Sequence, residues 1–170
     1  VSVSEITTPP RPHGLGIAVV FDWALTAQLT TQALASATHN LGFTPNPLVI
    51  GGGLVAAACL FALGEGLRRG VPILRPVQIG LMVIISLVGV ASLVMLVTGQ
   101  FSGSLVFTTA IELGYAPWLV WRLLDKETAA WFAMAQGRGR APHVSGWQWV
   151  AVLAAWAIAW GVVVAWAESL

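Results

Sequence analysis

Charge is what this sequence has least of. Only 9% of its 170 residues are Asp, Glu, Lys or Arg, against about 25% in ordinary soluble domains. A soluble chain this long with so few charges would expose large apolar patches. The formal net charge is +1, and no basic run is present to neutralise phosphates, which excludes a nucleic-acid partner. Cysteine is nearly absent too. The single Cys59 excludes an internal disulfide and a cysteine-built metal site. Lying in an apolar run, it is expected to be a small packing residue. Residues 1–16 are polar and proline-rich, so no cleavable signal peptide is expected there. The chain has no HExxH, GxSxG, P-loop or dinucleotide fingerprint,. It also lacks the matched halves of inverted-repeat transporters.

What is present is hydrophobicity, 57% of residues, with mean hydropathy +0.82. A membrane helix needs roughly 20 mainly apolar residues. Five segments qualify, at about 17–37, 47–67, 77–98, 104–124 and 147–167. The runs are continuous rather than alternating, which excludes a β-barrel. The fold expected is therefore an all-α integral membrane protein, a bundle of five transmembrane helices. Its organisation would be a short cytoplasmic segment, 1–16, and one membrane domain, 17–170.

Charge placement orients that bundle. With the N-terminus inside, the cytoplasmic segments are 1–16, 68–76 and 125–146, and Arg122 lies at the same side. All eight basic residues then fall on the cytoplasmic side, a complete positive-inside partition. The C-terminus is expected outside, and the location a prokaryotic cytoplasmic membrane. Pro45 and Pro47 suit the opening of the second helix, and Pro72 and Pro76 bracket the loop before the third. Pro117 should kink the fourth near Leu113. The stretch DKETAAWFAMA, residues 125–135, reads as an interfacial helix capped by Asp125. Its Trp131, Phe132 and Ala135 would face the membrane surface, or it would extend the fourth span.

The first span is unusually polar. Gln28, Thr31, Gln32, Ser36 and His39 share one helical face, and Asp22, Thr26 and Thr30 form a stripe beside it. Val19, Ala24, Leu25, Leu29, Ala33, Leu34 and Ala37 are left for lipid. A polar face in a membrane must look at protein, water or a ligand. It serves as interhelical glue, at roughly 0.6 kcal/mol per hydrogen bond, or it lines a hydrated cavity or a subunit interface. Asp22, near the inner end, is expected to snorkel or to meet a cytoplasmic arginine.

Glu112 lies near mid-membrane, where an Asp-type charge costs roughly 2.5–3.5 kcal/mol. It must be protonated, paired or hydrated. A protonated Glu112 donating to a first-span Gln or Thr is the simplest arrangement, and proton or ion handling is the functional alternative for both Glu112 and Asp22. Glu65 precedes Arg68 and Arg69 at helical spacing, so a local ion pair is expected. Gly52/Ala56 and Gly53/Ala57 form small-xxx-small pairs that permit close helix approach.

Nine tryptophans are a heavy load. Trp118, Trp121, Trp147, Trp149 and Trp166 sit near span ends, as in an aromatic belt. Trp156 and Trp160 are mid-span and one turn apart, a surface for a hydrophobic partner, a lipid or a cofactor. The histidines, His13, His39 and His143, lie outside or at the ends of spans, so a bis-histidine haem is not expected. His39 offers a ligand to a porphyrin-type pigment.

Two function classes follow. One is a non-catalytic accessory or scaffold subunit of a larger membrane assembly, in contact with lipids and with other subunits or itself. The other is a small homo-oligomeric transporter or channel using Glu112 and the polar face of the first span. A membrane enzyme stands third, because acid–base residues are scarce and no nucleophile is visible.

Overall fold

A computed structural model of the chain describes residues 12, 14–37, 46–99, 106–137, 151 and 153–162. The described residues are helical and contain no strand. The helices are α1 (Leu15–Ala37), α2 (Pro47–Arg68), α3 (Leu74–Val97), α4 (Val106–Leu124) and α5 (Lys126–Gly137), followed by α6 (Leu153–Val162). Two of them, α2 and α3, are long and apolar enough to cross a membrane.

Local chemistry sets the boundaries. Asn46 caps α2, its side chain accepting from Leu48 N at 3.0 Å, with Pro47 at the first turn, where a missing N–H costs nothing. α2 ends in a Schellman turn: Gly70, at φ +74°, takes the left-handed position. The turn is closed by Gly70 N to Leu67 O at 3.0 Å and Val71 N to Gly66 O at 2.9 Å,. α3 begins at Leu74, earlier than expected, so Pro76 belongs to its first turn rather than to the loop. A proline is tolerated there because the first N–H groups of a helix have no intrahelical partner. Pro117 lies inside α4, which runs on to Leu124.

The helices pack in two antiparallel pairs. α1 lies along α2, with Gly64 against Asp22 and Trp23, and Gly53 against Ala33. Between them the Thr26 hydroxyl reaches the Ala57 carbonyl. α3 lies along α4, with Arg75 Nε donating to Leu123 O at 2.8 Å and Gly89 against Glu112 and Leu113. Small residues allow this approach. Gly53 and Ala57 are the pair that faces α1; Gly52, the other candidate, faces open space.

α1 is the hub. Val19, Ala24 and Ala33, expected to face lipid, are buried. α2 covers one side of α1. α6 crosses another, where Gly161 meets Ala24, Ala27 and Gln28. Two further expectations are corrected. Trp131 and Phe132 join the core with Leu15, Leu119 and Leu123, so α5 turns its rings into protein rather than onto a membrane surface. They form an edge-on pair with centroids 4.9 Å apart. Cys59 is exposed rather than packed.

Candidate functional site

The hydroxyls of α1 are mostly spent on their own helix. Thr26, Thr30 and Thr31 each donate to the carbonyl four residues back, at 2.8 Å, which satisfies them without a neighbour. Thr26 alone also looks outward, 3.2 Å from Ala57 O. Ser36 is buried, and Gln28 and Gln32 are half-buried. His39 lies outside the described residues. α1 is thus flanked by α2, α4 and α6, with Ile17 and Leu34 still exposed.

Among the described residues no arginine meets Asp22. It is fully buried, and its Oδ1 accepts from Gln78 Nε2 of α3 at 2.8 Å. That bond joins the α1–α2 pair to the α3–α4 pair. Gln78 is the only side-chain amide in α3, and it went unremarked in the sequence because a single Gln near a span end carries little signal. Beside it, Tyr115 of α4 donates to Ile17 O of α1 at 2.9 Å and packs on Phe21 with centroids 4.6 Å apart.

Glu112 is half-buried in the α3–α4 seam. A methyl group at position 89 would lie 2.6 Å from Glu112 Cβ, so the glycine is what lets the two backbones close around the carboxyl-bearing residue. Thr109, a near neighbour on α4, is buried, and its hydroxyl has no partner among the described residues.

Basic side chains gather where α1 starts, α2 ends, α3 starts and α4 ends. Glu65 holds Arg68 at 2.6 Å and Arg69 at 2.7 Å, the pairing expected from their spacing. Arg122 lies with its guanidinium 5.7 Å from the Trp118 ring and 5.1 Å from the Trp121 ring, within cation–π range. The same side chain meets Gly14 at the start of α1.

Trp156 and Trp160 share a groove of about 300 Å³ with Ile17, Val20, Phe21, Ile111 and Tyr115. A second groove, of about 320 Å³, lies across α6 and is bordered by Trp23, Phe61, Thr26 and Thr30. Each is at the lower end of small-ligand pockets, roughly 300–1,000 Å³, and both are almost wholly apolar. They suit hydrocarbon or a flat ring. Among the described residues neither lining holds an imidazole or a thiol. Among the described residues no group of three or more His, Cys, Asp or Glu is placed to hold a metal ion.

No family model, curated protein or solved structure matches this chain. What it does has to be argued from the arrangement itself.

Proposed function

We propose that this chain is a five-span protein of a prokaryotic cytoplasmic membrane, N-terminus inside and C-terminus outside. There it acts as a non-catalytic accessory or scaffold subunit of a larger membrane assembly. One observation carries this reading: the polar chemistry is turned inward and the apolar surface outward. Asp22 is held by Gln78, Glu65 by Arg68 and Arg69, and the threonines by their own helix. Meanwhile Val55 and Phe61 of α2, Ile84, Leu87 and Val94 of α3, and Trp156 of α6 lie exposed. Lipid covers such faces without penalty, and so does the apolar face of another subunit. Native mass spectrometry of the protein gently extracted from its own membranes tests this. Co-migration with other polypeptides is expected. A chain that flies alone or as a closed homo-oligomer would move the assignment to a transporter.

That second reading has one observation in its favour. Glu112 sits in a helix seam on the same helix as Thr109, whose buried hydroxyl has no partner among the described residues, the kind of intramembrane carboxyl used along ion and proton paths. Flux through reconstituted vesicles that disappears in Glu112→Gln, with the fold intact, would support it.

A further inference from the structure

The contact between α1 and α3 holds more than one hydrogen bond's worth of chemistry. Asp22 and Gln78 are both 0% exposed. Gln78 Nε2 donates to Asp22 Oδ1. The other oxygen of each side chain, Asp22 Oδ2 and Gln78 Oε1, is buried without a partner among the described residues. Two acceptors in one buried contact are thus unsatisfied together among the described residues, and buried polar atoms are normally paired. A single hydrogen placed between them would satisfy both.

Nor does a counter-ion reach Asp22 among the described residues. The described cations are engaged or exposed: Arg68 and Arg69 on Glu65, Arg75 on the Leu123 carbonyl, Arg122 beside two indoles, and Lys126 at the surface. Of the other titratable groups on the helices packed there, Tyr115 donates to Ile17 O and Glu65 is held by its arginines. A buried carboxylate without a cation is among the most unfavourable arrangements in a protein interior.

We infer that Asp22 and Gln78 form a proton-binding site: Asp22 carries its proton on Oδ2 and donates it to Gln78 Oε1. The result is a two-bond carboxylic acid–amide ring clamping α1 to α3. Uptake of one proton closes the ring. Its release removes one bond, leaves a bare charge between two helices, and loosens the α1–α2 pair from the α3–α4 pair. The ligand is H⁺ itself, and the site lies in the α1–α3 contact rather than at Glu112. This goes beyond the accessory assignment and does not depend on it.

Infrared absorption of the full chain in lipid vesicles at neutral pH tests the site. A protonated-carboxyl C=O stretching band is expected that disappears in Asp22→Asn and survives in Glu112→Gln. In Gln78→Leu the band should persist but shift to higher frequency, because its hydrogen-bond partner is gone. Should Asp22→Asn fail to fold, the Gln78→Leu shift decides alone. Absence of the band, a band lost only with Glu112→Gln, or a band unmoved by Gln78→Leu would overturn the inference.

Discussion

Gly161 of α6 lies directly against the backbone of α1 at Ala24: a Cβ at position 161 would sit 2.6 Å from the Ala24 carbonyl oxygen, 2.7 Å from Ala27 Cβ and 3.0 Å from Gln28 N. Two of those neighbours are backbone atoms, which cannot swing aside. Gly161→Ala should therefore push α6 off α1, at a cost toward the upper end of the ~1–3 kcal/mol typical of overpacking. Gly52→Ala, facing open space, should be neutral or slightly stabilising. Thermal unfolding in detergent, followed by tryptophan fluorescence, compares the two. Equal midpoints would mean that α6 does not dock where the structure has it.

The α3–α4 seam makes a parallel case. Gly89→Ala places a methyl group 2.6 Å from Glu112 Cβ and 3.2 Å from its backbone carbon, and a loss of about 1–3 kcal/mol is expected. Gly80, on the same helix, has nothing within 4 Å. Gly80→Ala should match the wild type or exceed it slightly, since alanine is the better helix former. The ordering of the two midpoints is the readout.

Trp131 separates a core helix from a surface one. It is 2% exposed, whereas Trp121 is 64% exposed. Trp131→Ala should cost about 3–5 kcal/mol, as for large aromatic truncations in cores. Trp121→Ala should lose only its exposed contact with Arg122, about 0.5–1 kcal/mol. If α5 instead lay on the membrane surface, Trp131→Ala would leave the unfolding midpoint nearly unchanged and weaken only lipid contact.

Much of this architecture is legible in the sequence. The helix positions follow from hydrophobic run length. The Glu65–Arg68–Arg69 cluster follows from spacing, and the start of α2 from Pro47. Which face of an apolar helix meets protein is a different matter. Lipid tails are as apolar as leucine, so Ala33 and Leu87 look alike in composition, yet one is buried and the other is exposed. The same ambiguity misplaces Cys59, Trp131 and Phe132. The Asp22–Gln78 bond spans 56 residues, and no local pattern announces a pairing at that separation. Gly161 gives no sign either, because close approach depends on the partner backbone.

Glu112→Gln separates the two functional readings. Gln is nearly isosteric and keeps the Gly89 contact. For an accessory subunit, the variant should assemble with its partners at wild-type yield and show no change in proton flux across reconstituted vesicles. For a transporter, flux should fall while the unfolding midpoint stays within about 0.5 kcal/mol of wild type, the range of substitutions that disturb no packing. The pair of readouts, flux and stability, is needed because lost flux alone would also follow from misfolding.

The most direct test of the accessory role is to footprint the outer faces of α2 and α3 with a carbene-generating probe dissolved in the lipid. The same labelling is run in native membranes and on the purified chain in vesicles. Cys59, Phe61, Leu87 and Val94 are exposed, whereas Val19 and Ala33 are buried. The exposed set should label in vesicles and the buried set in neither preparation. In native membranes, part of the exposed set should become protected, because another subunit covers it. Identical labelling in both preparations would contradict the accessory role and leave a protein whose outer faces meet only lipid.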